Sequence, residues 1–158
     1  MWRRFVEVLI RVPAALEAQL QRDAGLTHMG YVVLFTLSEQ PGRRMPMSRL
    51  ARDVTSSLSR LSHVVARLEG QGWVRRERNP DDGRVQIAVL TDEGYDKVVA
   101  TAPGHVEAVR SLVFDQLTLP QHRQLRDIGR RIIRAIDPDD HRPDHQPQPA
   151  ATPAQPPQ

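Results

Sequence analysis

Apolar residues recur at helical spacing over most of the chain. Trp2, Phe5, Leu9, Val12, Leu16 and Leu20 stand three or four residues apart and predict an amphipathic helix over about 2–22. Pro13 inside it predicts a kink or a division, because proline removes a backbone donor and crowds the preceding turn. Thr27 is placed to cap a second helix through about Ser38. Its Met29, Val32, Val33, Leu34, Phe35 and Leu37 leave almost no polar face, which suits a buried central helix. Pro41-Gly42 ends it, and Arg43 and Arg44 are expected in the loop beyond.

A short helical piece follows from Ser48 to Asp53, with Leu50, Ala51 and Val54 as its apolar points. Thr55, Ser56 and Ser57 interrupt it, and Ser57 is the best-placed N-cap for the next helix, about Leu58 to Gln71. One face of that helix carries Leu61, Val64, Val65 and Leu68; the other carries Ser59, Arg60, Ser62, His63 and Arg67. Gly70 and Gly72 end it, where a C-terminal turn needs positive φ. The period then changes to strands, Trp73 to Arg78 and Val85 to Leu90, joined by Asn79 to Gly83 with Asp82-Gly83 as the turn. Thr91 caps a further helix, with Asp92 and Glu93 against its positive end. Its pattern runs to about Leu117, and Pro103-Gly104 predicts a kink or break. Thr118 with Gln121 makes a capping box for a last helix to about Ile136, with Leu125, Ile128, Ile132, Ile133 and Ile136 on one face. The expected class is mainly α with a small β-hairpin.

Two helices joined by a turn of a few residues match the helix-turn-helix pattern, in which the start of the second helix reaches base edges in the major groove. Leu58, Ser59, Arg60, Ser62 and His63 are then the base-reading candidates. A bidentate Arg–guanine contact is worth roughly 1–3 kcal/mol of discrimination. A capped amphipathic helix with a solvated polar face would show the same local pattern. The hairpin shifts the balance, because Arg75, Arg76, Arg78 and Arg84 load it with charge suited to phosphates flanking the groove. Helix-turn-helix followed by a basic hairpin makes a winged helix over about 43–91. Arg43 and Arg67 join the backbone candidates.

The formal net charge is only +3, but residues 43–84 hold ten Arg against five acidic residues. The positive charge therefore concentrates on the proposed reading unit. Of the 22 basic residues all but Lys97 are Arg, so the bias is chain-wide. There is no cysteine, which excludes disulfides, thiolate metal sites and thiol-based oxidation sensing. No nucleophile elbow, glycine-rich phosphate loop or paired-histidine metal motif stands out, so the chain reads as a non-enzyme without cofactor. The absence of about 18 consecutive apolar residues and of a leader predicts a soluble, cytoplasmic protein with no membrane partner. By length 1–136 reads as one domain, and 137–158, with seven of the 13 prolines, as a disordered tail.

The segments MSRLA (47–51), Arg67-Leu68, GWVRRERNPDDGR (72–84) and VLTDEG (89–94) resemble the MarR family, the multiple antibiotic resistance regulators. The resemblance covers about Trp2 to Ile136. It implies a dimeric winged-helix repressor or activator whose first and last helices, about 2–22 and 92–136, make the dimer. In the family's wing an Asp and an Arg frame an Arg. Asp82 and Arg84 match, but Gly83 stands at the tip position, which leaves Arg84 to reach the minor groove. A two-fold dimer implies a pseudo-palindromic operator on double-stranded DNA with half-sites roughly 34 Å apart. Relatives respond to small aromatic acids, and by that analogy Trp2, Phe5, His28, Tyr31 and Phe35 are pocket candidates, though equally fit for plain core. Some relatives bind zinc through His and Glu. His28, His105 and Glu107 lack the i,i+4 spacing for it, and no metal is expected. The alternative is a winged-helix module whose arginine face meets an acidic protein.

Overall fold

A computed structural model describes residues 1–138. Its elements are α1 (Trp2–Ala24), α2 (His28–Ser38), a 3-10 turn (Pro41–Arg43), β1 (Arg44–Pro46), α3 (Met47–Asp53), α4 (Leu58–Gly70), β2 (Val74–Arg78), β3 (Gln86–Leu90), α5 (Asp92–Leu112), a second 3-10 turn (Phe114–Gln116) and α6 (Leu119–Ile136). The expected class holds: mainly helical, with a small antiparallel sheet. The tail from residue 139 lies outside the described residues.

Met1–Gln116 form one compact unit. Leu20, Leu34, Leu37, Met45, Leu50, Leu61 and Val65 are its largest fully buried side chains. They come from α1, β1, α3 and α4, which close around α2, and from α2 itself, whose Val33, Leu34 and Leu37 are wholly enclosed. The sheet order is β1-β3-β2, all antiparallel. The third strand, β1, was expected as loop; Met45 lies opposite the fully buried Ala88 and anchors it. Three residues carry too little pattern to announce a strand without their partner.

Two prolines lie inside continuous helices. α1 continues through Pro13 and α5 through Pro103, so neither helix is divided. A proline removes one i→i−4 bond, and the turns on either side hold the helical path. These two helices pack against each other, burying Gln19 and Leu20 on one and Val98 and Thr101 on the other. α5 ends at Leu112, short of the expected Leu117, and a 3-10 turn follows. The hairpin turn also differs. Gly83 is not in the left-handed region; the tip closes where the Asp82 carbonyl accepts from the Val85 N–H (2.9 Å) and the Asp82 carboxylate from the Arg84 N–H (3.0 Å). An Asx turn of this kind needs no glycine.

The start of α5 is bolted to the start of the hairpin. The Thr91 N–H donates to the Trp73 carbonyl (3.1 Å), and the Thr91 hydroxyl donates to the Gly72 carbonyl (2.7 Å) while accepting from the Gly94 N–H (3.0 Å). Gly94 is buried there, and a Cβ on it would lie 2.8 Å from Leu90 Cδ1 and 2.9 Å from the Trp73 carbonyl carbon, with the Trp73 oxygen closer still.

α6 belongs to the second unit, which begins at Leu117. Gln121 Oε1 accepts from the Thr118 backbone N–H at 2.7 Å, the reciprocal half of the expected capping box. No α6 residue is buried, and Leu125, Ile128, Ile132, Ile133 and Ile136 remain exposed along its apolar stripe.

Candidate nucleic-acid interface

Ser57 Oγ accepts the Arg60 N–H at 3.2 Å, so the expected cap sets the start of α4. Leu61, Val65 and Leu68 bury one face of the helix; Leu58, Ser59, Arg60, His63 and Arg67 are exposed on the rest, with Ser62 half-buried. All five base-reading candidates therefore lie on the first turns of one helix, turned away from the core. Ser62 gives its proton to the Leu58 carbonyl (2.8 Å), which leaves its hydroxyl lone pairs as acceptors toward a base.

Between the start of α4 and the hairpin runs a groove of about 580 Å³, lined by Met47, Ser48, Leu58, Ser62, Arg78 and Arg84 among others. One wall is the capped helix start, and another carries two guanidinium groups. That pairing fits a phosphate strand passing between a groove-reading helix and its wing. Met47 and Ser48 were not among the DNA-contact candidates read from the sequence. Only the packing of α3 against α4 brings them to the groove.

The arginines separate into two groups. Arg43 donates to Asp92 (3.0 Å), and its guanidinium lies 3.7 Å from the Tyr95 ring centroid, so it ties the loop before β1 to α5. Arg75 and Arg44 both reach Glu77, at 2.7 and 3.4 Å. Arg76 clamps Glu69 through Nε (2.9 Å) and Nη2 (2.6 Å). These hydrogen bonds hold the Glu69 carboxyl below its ordinary range. Arg60, Arg67, Arg78 and Arg84, by contrast, have no acidic partner among the described residues.

The ring contacts among the five pocket candidates fall into two groups. Trp2 and Phe5 pair at the exposed start of α1, with ring centroids 6.2 Å apart. Tyr31 stacks on Phe35 (6.0 Å) and meets His105 (4.6 Å), which in turn lies 6.1 Å from His28. Gln19 donates to Asp23 (2.9 Å), so its oxygen faces His105 Nδ1 (3.1 Å) and requires the proton there. Burial, then His28, pushes the His105 pKa down; burial, then Glu39, pushes Tyr31 up. Glu107 turns to Arg110 (3.4 Å), and no cluster of three metal-ligating side chains occurs among the described residues.

A helix-turn-helix with a three-stranded sheet, its hairpin flanking the second helix, defines a winged-helix protein. The MarR family model matches residues 26–85. The transcriptional regulator HosA of Escherichia coli O127:H6 is 35% identical over 108 residues, 68% of this chain and 78% of HosA. Among solved structures, Sco3205 of Streptomyces coelicolor, a MarR family transcriptional regulator crystallised in complex with DNA, is 49% identical with a TM-score of 0.85, covering 87% of this chain and 86% of its own. AbsC, a MarR family transcriptional regulator of the same organism, is 38% identical with a TM-score of 0.82, covering 85% and 90%. The chain belongs to the MarR family of transcriptional regulators. Among the described residues no helix is long and apolar enough to cross a membrane.

Proposed function

We propose that the protein is a homodimeric, sequence-specific DNA-binding repressor of the cytoplasm, released from its operator by a small-molecule effector. The observation that carries DNA binding is the sorting of the arginines. The guanidinium groups around α4 and its groove, Arg60, Arg67, Arg78 and Arg84, have no acidic partner among the described residues, whereas Arg43 pairs with Asp92 and Arg44 and Arg75 share Glu77. Leu58, Ser59, Arg60, Ser62 and His63 read bases. Arg67, Arg78 and Arg84 hold phosphates or the minor-groove edge, and Asp82 shapes the wing tip. The DNA complex of Sco3205, at 49% identity, supports this reading.

The apolar residues that α6 leaves exposed, Leu125, Ile128, Ile132 and Ile136, support a second copy of the chain as partner; exposed Trp2, Phe5 and Leu9 on α1 add to this. Effector release would act through the group of His28, Tyr31, Phe35 and His105 by favouring a dimer whose two α4 helices misfit the operator.

Selection of bound sequences from a random duplex pool at near-physiological salt tests the proposal. A two-fold symmetric motif with half-sites roughly 34 Å apart is expected, and Arg60→Ala should relax the motif while Arg78→Ala lowers affinity for all duplexes. Recovery of no motif from a dimeric protein would overturn it in favour of an acidic protein partner.

A further inference from the structure

The arginine-rich strand β2 does not present all its charges alike. Its register pairs Arg76 with Ala88, which is fully buried, so Arg76 shares a face with the buried Val74. That is the side on which α4 packs. Arg75 points the other way. Arg76 is met by Glu69, near the end of α4, through three bonds: Nε at 2.9 Å, Nη2 at 2.6 Å and the Arg76 backbone N–H at 3.1 Å. Both side chains are about one-third exposed. Two residues further along the strand, Arg78 lines the open groove.

From this geometry we infer that Arg76 is a positioning residue and not a phosphate contact: with Glu69 it fixes the angle between the recognition helix and the wing. The fork of Arg76 is already satisfied by a carboxylate, and that carboxylate also holds the backbone of β2. Two of the guanidinium's five N–H donors are spent on Glu69, and the carboxylate beside it offsets the cation's pull on a phosphate; letting go would leave Glu69 without its partner. One pair thereby links the C-terminal end of the helix that reads bases to the strand that leads to Arg78 and Arg84. The planar fork matters, because Nε and Nη2 close together on Glu69 Oε2 while the backbone N–H takes Oε1, and an ammonium, a point charge, lacks that fixed pair of donors.

The inference rests on the DNA-binding reading for its consequence, and the experiment separates the two. Affinity for the selected operator is measured against salt for the wild type, Arg76→Ala, Arg76→Lys, Glu69→Gln and the double variant Glu69→Gln/Arg76→Ala. Amide hydrogen exchange of β2 is followed in the same proteins without DNA. The expected result is a loss of affinity by roughly tenfold for Glu69→Gln and for each Arg76 variant, with the double variant no worse than either single. The salt slope should stay at the wild-type value, and exchange at 74–78 should speed up equally in all variants.

A phosphate contact predicts the opposite. Arg76→Ala and the double variant would flatten the slope by roughly 0.9, Arg76→Lys would bind nearly as wild type, and Glu69→Gln would bind as well or better. That pattern overturns the inference, as does unchanged exchange in β2. If the wild type binds no duplex, the DNA reading fails, and exchange alone decides whether the pair holds the wing.

Discussion

Gly94→Ala adds one methyl group at the joint between α5 and the hairpin, and its cost can be worked from the surroundings. Ordinary carbon contacts lie at about 3.5–4.0 Å. The new Cβ would sit 2.8 Å from Leu90 Cδ1 and 2.9 Å from the Trp73 carbonyl carbon, with the Trp73 oxygen nearer still, so a movement of at least about 1 Å is required. Leu90 can rotate only within a buried sheet position, and the Trp73 carbonyl is backbone held by the Thr91 N–H. Helix α5 must therefore back away, straining the Thr91 cap that its first turn depends on. Overpacking costs about 1–3 kcal/mol and a lost cap about 1. A total near 3 kcal/mol corresponds to a fall in Tm of roughly 6–12 °C. Urea unfolding should show a lower midpoint at unchanged m-value. Gly70→Ala, where a Cβ meets nothing within 4 Å, serves as control and should hold or gain stability. Stability of Gly94→Ala within about 0.5 kcal/mol of wild type would refute the reasoning, since it would mean that the joint yields freely.

Two other predictions follow from the same contacts. Ser57→Ala leaves the Arg60 N–H without its cap and should cost about 1 kcal/mol, read by thermal unfolding; an unaffected Tm would show that water replaces the cap. His105 has a folded pKa below its ordinary value, so it adds nothing above about pH 6.5, where both folded and unfolded states are neutral. Below that, the unfolded chain takes up a proton that the folded one resists, and stability drops as pH falls. His105→Gln keeps a donor toward Gln19 and should lose less stability than wild type between pH 7.5 and 5.5, as compared by urea midpoints; an equal loss would place the effect elsewhere.

Much of the fold was legible along the chain. The caps at Thr27, Ser57 and Thr91 all form as expected, because an N-cap needs only a short polar side chain and the next turn. The buried stripe of α4 and the enclosed α2 follow from apolar spacing alone. The exposed positions of α4 were legible for the same reason, since most of them are what remains once its apolar face is assigned. Thr55 was read only as an interruption, yet its φ of 52° places it in the left-handed region, a conformation imposed by the turn between α3 and α4.

What the sequence by itself determined was which residues are polar, where helices start, and that positive charge gathers over residues 43–84. It could not rank the arginines, because a run of like side chains carries no record of which acidic groups will fold back onto it. Glu69 meets Arg76 across seven residues, and Asp92 meets Arg43 across 49. Those pairings exist only once α4, the sheet and α5 have packed, and they decide which charges are left facing the groove. The same holds for β1, which is a strand only because β3 supplies its hydrogen bonds.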